Sequence, residues 1–147
     1  MIINGKQLYV KRRHNGEIDE KTENIKQESA IRDFKFFCFH GAPKIMYVSR
    51  DKAEEPTTDF FDMEFNHLEM RMRDPNSKVL PDKPLNFELM KSLAATLSKG
   101  MPHVRADFYE IQGQVYFGEM TFFHNGEFSH IYPRRWESEL GNLIKLS

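Results

Sequence analysis

Val104-Arg105-Ala106-Asp107-Phe108-Tyr109 and Val115-Tyr116-Phe117-Gly118-Glu119-Met120-Thr121 decide the fold of this chain, because polar positions alternate along both stretches. Alternation sends successive side chains to opposite faces of a β-strand, and two such runs around a glycine form a hairpin. Which side chains share a face depends on the turn. A two-residue loop at Gln112-Gly113 sets Asp107 against Gly118 and puts Asp107 and Glu119 on opposite faces. A three-residue loop, Ile111-Gln112-Gly113, pairs Glu110 with Gln114 and Asp107 with Phe117. Asp107 and Glu119 then project together with Arg105, Tyr109 and Thr121, while Ala106, Phe108, Tyr116, Met120 and Phe122 make an apolar face. A compensating bulge behind a shorter loop would bring the same two carboxylates together.

Outward from this hairpin, Phe87 to Lys99 reads as the main helix. Asn86 stands at its cap position, Gly100 ends it, and Phe87, Met90, Leu93, Ala94 and Leu97 fall on one face. Phe34-Lys35-Phe36-Phe37-Cys38-Phe39 is a strand entering a turn at His40-Gly41, and Lys44 to Val48 returns as its partner. Phe60 to Phe65 and Leu68 to Met72 form another hairpin around Asn66-His67, and the proline-containing stretch Asp74 to Pro84 runs over the surface. Trp136, Leu140, Leu143 and Ile144 give a short closing helix after Pro133. At the N-terminus Asn4-Gly5 lies between Ile2-Ile3 and Leu8-Tyr9-Val10, a hairpin signal, and Lys11 to Gln27 is polar enough to be an exposed loop. Hairpins with helices at intervals make an α+β fold on an antiparallel sheet.

Composition narrows the function. At 147 residues the chain is long enough for a core, and with 13 Phe and 8 Met that core is built from large, adaptable side chains. A net charge of -1 gives no global field for nucleic acid or an anionic membrane, so any polyanion site is local. The single Cys38 cannot form an internal disulfide and fits a reducing, cytoplasmic setting. No apolar run reaches the ~20 residues of a spanning helix. His40, His67 and His124 lack the spacing of a transition-metal site, and the aromatic run has no basic excess to suit RNA.

Two carboxylates from adjacent strands suit a hard divalent cation, since Mg2+ takes one or two carboxylates with waters and substrate phosphates. The competing reading is a cross-strand ion pair between these acids and Arg105, and spacing alone favours it.

Several stretches resemble the TupA-like ATP-grasp family of bacterial surface-polysaccharide and teichuronopeptide synthesis. They are Asp33 to Gly41, Asp59-Phe60-Phe61-Asp62, Asn66-His67-Leu68, and the Arg105-x-Asp107-Phe108-Tyr109 and Tyr116-Phe117-Gly118-Glu119-x-Thr121-Phe122 strings. The resemblance spans about residues 33 to 146, leaving 1–32 without a counterpart and 33–147 as a partial, C-terminal ATP-grasp domain. It implies that Asp107, Glu119 and Thr121 hold Mg2+ on ATP, with Thr121 offering a hydroxyl where the family has an asparagine-like carbonyl. It also implies that Arg105 is the catalytic cation and Lys35 a cofactor-binding one, and it raises metal binding above the ion-pair reading. The reaction implied is phosphorylation of a carboxylate by ATP, followed by attack of an amine. The family's lysine-bearing, glycine-rich clamp has no counterpart in residues 1–32, so the expectation is a half that is inactive alone or completed by a separate N-terminal half. The alternative is a non-catalytic assembly protein, or one associated with a glycosyltransferase, in a polysaccharide pathway.

Overall fold

A computed structural model describes residues 32–50, 55–122 and 131–145, and the backbone of residues 2–3, 6–7, 9–10, 13–14 and 17–18. In chain order the short strands are β1 (Ile2–Ile3), β2 (Lys6–Gln7), β3 (Tyr9–Val10), β4 (Arg13–His14) and β5 (Glu17–Ile18). They are followed by β6 (Asp33–Phe39), β7 (Ala42–Arg50), β8 (Thr57–Phe61), β9 (His67–Leu68), helix α1 (Phe87–Ser98), β10 (His103–Ile111), β11 (Gln114–Thr121) and helix α2 (Arg135–Lys145). Among the described residues the main sheet has seven strands in the order β3-β11-β10-β6-β7-β8-β9, antiparallel except where β3 runs parallel to β11. The fold is α+β, as the hairpin pattern leads one to expect.

Alternation along β6 and β10 builds the first core. Phe34, Phe36 and Cys38 of β6 and Val104, Ala106 and Phe108 of β10 are buried on one face beneath Phe87, Met90, Leu93 and Ala94 of α1. Phe36 meets Phe108 edge-on at 5.8 Å and Phe87 at 6.0 Å. Each such ring, once buried, contributes about 1.5–3 kcal/mol.

The opposite face carries a second core. Phe37, Phe39, Ile45, Tyr47 and Phe60 pack there with Met70, Ile131 and Leu140 of α2. Strand β6 is therefore buried on both faces, and so its sequence reads as an aromatic run broken chiefly by Lys35.

Turns fix the register. His40 (φ 50°) and Gly41 (φ 80°) make the two-residue β6–β7 turn, and a bulge between Phe37 and Cys38 accommodates Pro43. Between β8 and β9 the Asp62 carboxylate accepts the N–H groups of Glu64 (3.0 Å) and Asn66 (2.8 Å). The loop thereby presents Phe65 (φ 63°) to stack on Phe61 at 4.1 Å. The Asp74 to Pro84 connection is tied down more firmly than a surface loop. Asn76 donates to the Thr58 and Met70 carbonyls, and Ser77 donates its N–H to the buried Asp59 at 3.1 Å.

Three expectations change. Asn86 does not cap α1 with its side chain; its amide donates to the Gly113 carbonyl at 2.8 Å. The Glu110 carboxylate, at the hairpin tip, accepts the Leu85 and Asn86 N–H groups at 3.2 and 2.7 Å, placing negative charge at the helix N-terminus. At the chain's start, Ile2–Ile3 pairs with Lys6–Gln7 rather than with Leu8 to Val10, and Tyr9–Val10 joins the main sheet. Within the stretch read as an exposed loop, Arg13–His14 pairs with Glu17–Ile18. Leu8, Lys11, Arg12, Phe123, His124 and residues 19–31 lie outside the described residues.

Candidate functional site

The β10–β11 hairpin closes through a two-residue turn. Gln112 (φ 50°) and Gly113 (φ 75°) are both left-handed, and Ile111 pairs with Gln114. From that turn the pairs run Glu110 with Val115, Tyr109 with Tyr116 and Phe108 with Phe117. The register then shifts, for Ala106 pairs with Met120 and Arg105 with Thr121. Gly118 and Glu119 together therefore stand opposite Asp107 in a β-bulge. The three-residue loop does not form, and the bulge supplies the compensation instead. Tyr116 consequently shares the face of Tyr109, and Phe117 takes the place expected for it beside Phe108, ring to ring at 6.1 Å.

Gly118 sits in close packing against β10. A Cβ there would come within 3.0 Å of the Tyr109 ring and 3.1 Å of the Asp107 carbonyl oxygen. An added side chain there requires the Tyr109 ring and the Asp107 backbone to give by a few tenths of an ångström, a strain that falls on the bulge carrying Glu119.

Around the bulge the expected site residues gather. The Arg105 guanidinium donates from Nε to Asp107 Oδ1 at 2.8 Å and from Nη2 to Oδ2 at 3.0 Å. The same Nη2 reaches Thr121 Oγ1 at 3.3 Å and lies 3.7 Å from Glu119 Oε1, while Nη1 donates to the Tyr47 hydroxyl at 3.1 Å. Lys35 pairs across strands with both Asp107 and Tyr47, and its Nζ lies 3.6 Å from Asp107 Oδ2. It is not an edge lysine, for β6 is an interior strand and only 13% of its side chain is exposed.

Two further residues belong to the cluster that sequence reading passed over. Asp33 is ion-paired with Lys35, and its Oδ1 is buried with no hydrogen-bond partner among the described residues. The available signal was the Asp33-x-Lys35 spacing, which puts both side chains on one face of a strand. Tyr47 carried no such signal, since a tyrosine in an aromatic hairpin reads as core.

Charge and burial set the chemistry. Asp33, Asp107 and Glu119 against Lys35 and Arg105 leave the cluster one negative charge in excess. Burial raises the Asp107 pKa above the usual carboxylate value, opposed by the hydrogen bond from Arg105 and the charge of Lys35. Burial likewise pushes the Tyr47 hydroxyl up, so it stays protonated. Glu119 is more than half exposed and faces solvent. Among the described residues no three His, Cys, Asp or Glu side chains are grouped closely enough to hold a metal by themselves. The oxygens of Asp107, Glu119 and Thr121 fit Mg2+, which takes few protein ligands and completes its shell with phosphate, and one cation, Arg105, already stands among them.

His40 and His67 stand apart from this cluster, the former at 3.2 Å from the Ile144 carbonyl and the latter at 3.5 Å from Asp59. Cys38 is buried and its thiol is pushed up to about 11, which removes it as a nucleophile at neutral pH. No described helix is long and apolar enough to cross a membrane.

Fold and site place the chain among α+β proteins that present acids and bases side by side on an antiparallel sheet, and comparison of the sequence narrows the class to ATP-grasp-type proteins. The model of the family described as TupA-like ATPgrasp matches residues 6–145, and the chain belongs to that family. The match begins well before Asp33 and includes β3, the strand that borders β11. No curated protein matches the chain. ATP-grasp proteins generally bind ATP and Mg2+ and act on nucleotide and carboxylate substrates.

Proposed function

We propose that this chain is the Mg-ATP-binding, C-terminal half of an ATP-grasp carboxylate ligase-like protein of bacterial cell-surface polysaccharide biosynthesis, working in the cytoplasm. What supports the reading is that Asp107, Thr121 and Glu119 oxygens lie 3.0, 3.3 and 3.7 Å from one atom, Arg105 Nη2, so that a cation is already held among them. In the proposed role Asp107 and Glu119 would hold Mg2+ with Thr121 beside them, and the ion would supply positive charge to the transferring phosphate. Arg105 and Lys35 supply positive charge to the remaining phosphate oxygens, Arg105 through its forked donors. The substrate carboxylate oxygen attacks the γ-phosphorus, and the bond to the ADP oxygen breaks, giving an acylphosphate and ADP. An amine then adds at the acyl carbon and phosphate leaves. Turnover is proposed to need a lysine-bearing clamp in addition to these residues, so residues 1–147 by themselves bind nucleotide with weak or no catalysis.

Calorimetry on the isolated chain tests this. Mg2+-dependent ATP binding that disappears in the Asp107→Asn, Glu119→Gln double variant is expected. Absence of nucleotide binding, or binding indifferent to both substitutions, removes the reading and leaves an assembly role in the same pathway.

A further inference from the structure

Every side chain assigned above to the metal is already engaged by one guanidinium. Arg105 holds both Asp107 oxygens at 2.8 and 3.0 Å, reaches Thr121 at 3.3 Å and lies 3.7 Å from Glu119. Its position is fixed from the far side as well. Tyr47, on β7, accepts Nη1 at 3.1 Å, two strands away from β10. A buried carboxylate without a positive neighbour is strongly disfavoured, so something cationic must accompany Asp107, whose side chain is 3% exposed. A guanidinium and a dication cannot both take that place, because they repel at contact distance and compete for the same lone pairs.

We infer that Arg105 is a built-in placeholder cation: it occupies the divalent-ion position while nucleotide is absent, and Tyr47 is the positioning residue that keeps it there. The inference rests on the proposed Mg-ATP site and specifies how that site is guarded. A metal arriving alone must displace the guanidinium from both Asp107 oxygens, at 2.8 and 3.0 Å, and brings no anion of its own in exchange. A metal arriving with a triphosphate brings phosphate oxygens to which the same fork can turn. The exchange thus makes metal binding conditional on nucleotide and keeps the empty site from filling with a free divalent ion. Lys35, 3.6 Å from Asp107 and ion-paired with Asp33, remains beside the carboxylate during the exchange.

The test uses Mn2+ alone as probe, with bound and free ion counted by electron paramagnetic resonance and no nucleotide present. Arg105→Met is expected to bind Mn2+ roughly tenfold or more tightly than the wild type, equivalent to loss of one charge-assisted competitor. Tyr47→Phe, which keeps the ion pair and removes one hydroxyl, is expected to tighten Mn2+ by a smaller factor. It also carries the test should Arg105→Met fail to fold. Adding Asp107→Asn to Arg105→Met should abolish the gain.

Unchanged or weaker Mn2+ affinity in Tyr47→Phe and in folded Arg105→Met, in a protein that still binds Mg-ATP, overturns the placeholder and leaves the nucleotide site standing. Failure of wild type and variants to bind either Mg-ATP or Mn2+ overturns the nucleotide site, and the placeholder with it.

Discussion

Strand β10 shows two faces of one alternating sequence with opposite physical characters. Val104, Ala106 and Phe108 enter a continuous apolar core under α1, whereas Arg105 and Asp107 enter a charged cluster with Lys35, Tyr47 and Thr121. Packing decides everything on the first face, where any hydrophobic group of similar volume would serve. On the second, removing one partner strands a charge, because Asp107 is almost as well buried as Phe108. The face that looks like solvent-facing sheet in sequence is therefore the more exacting of the two.

The contrast breaks most visibly in the core. Phe36→Ala should cost about 3–5 kcal/mol in chemical denaturation, since the ring touches both Phe87 and Phe108 and leaves a cavity. The double variant Asp107→Asn, Glu119→Gln would keep its nucleotide-binding defect on a folded protein, while Phe36→Ala would lose stability with the cluster chemistry intact. Removing Asp107 as Asp107→Ala should cost a comparable ~3–5 kcal/mol by taking from the Arg105 guanidinium the carboxylate that accepts it at 2.8 and 3.0 Å. Deleting both Arg105 and Asp107 should cost less than the sum of the single losses, and a double-mutant cycle measures that coupling.

Between the faces lies the bulge. Gly118→Ala should cost about 1–3 kcal/mol, because the added methyl meets the Tyr109 ring and the Asp107 carbonyl. It should also weaken Mg-ATP binding by moving Glu119, an effect that Glu119→Gln reproduces without the stability loss.

The smallest effect is a pH dependence. His103, on the charged face of β10, stacks on Phe39 at 4.5 Å, with Nδ1 3.0 Å from the Cys38 carbonyl oxygen. Burial lowers its pKa below 6.5, against the raising influence of that carbonyl. The unfolded chain then takes up a proton that the folded one does not. This contribution to stability is present above about pH 6.5 and declines as pH falls from there toward the folded pKa. Thermal midpoints measured across that interval should fall with acid in the wild type and less steeply in His103→Gln.

Much of this was legible from sequence because single residues carried it. The helix from Phe87, its end at Gly100, the His40-Gly41 turn and the closing helix at Trp136 each follow from periodicity or from one glycine. The site residues Arg105, Asp107, Glu119 and Thr121 were also in view, yet their common face was not fixed, because loop length and bulge trade off and alternation cannot separate them. Gly118, a glycine inside a strand next to a glutamate, was the local sign of the bulge. What stayed hidden depends on tertiary distance. Glu110 meets the start of α1 only once the hairpin folds onto it, and Tyr47 meets Arg105 only across β6. Lys35 reads as an edge residue until the two neighbouring strands, β10 and β7, enclose it.

The central claim is that Asp107 and Glu119 form a cation site that Arg105 vacates for nucleotide. The most direct measurement is anomalous scattering from Mn2+ in crystals grown with a non-hydrolysable ATP analogue. The account predicts one peak within about 2.0–2.6 Å of carboxylate oxygens of both Asp107 and Glu119, with the Arg105 guanidinium turned onto phosphate. A peak elsewhere, or nucleotide bound while Arg105 still holds both Asp107 oxygens, would contradict it.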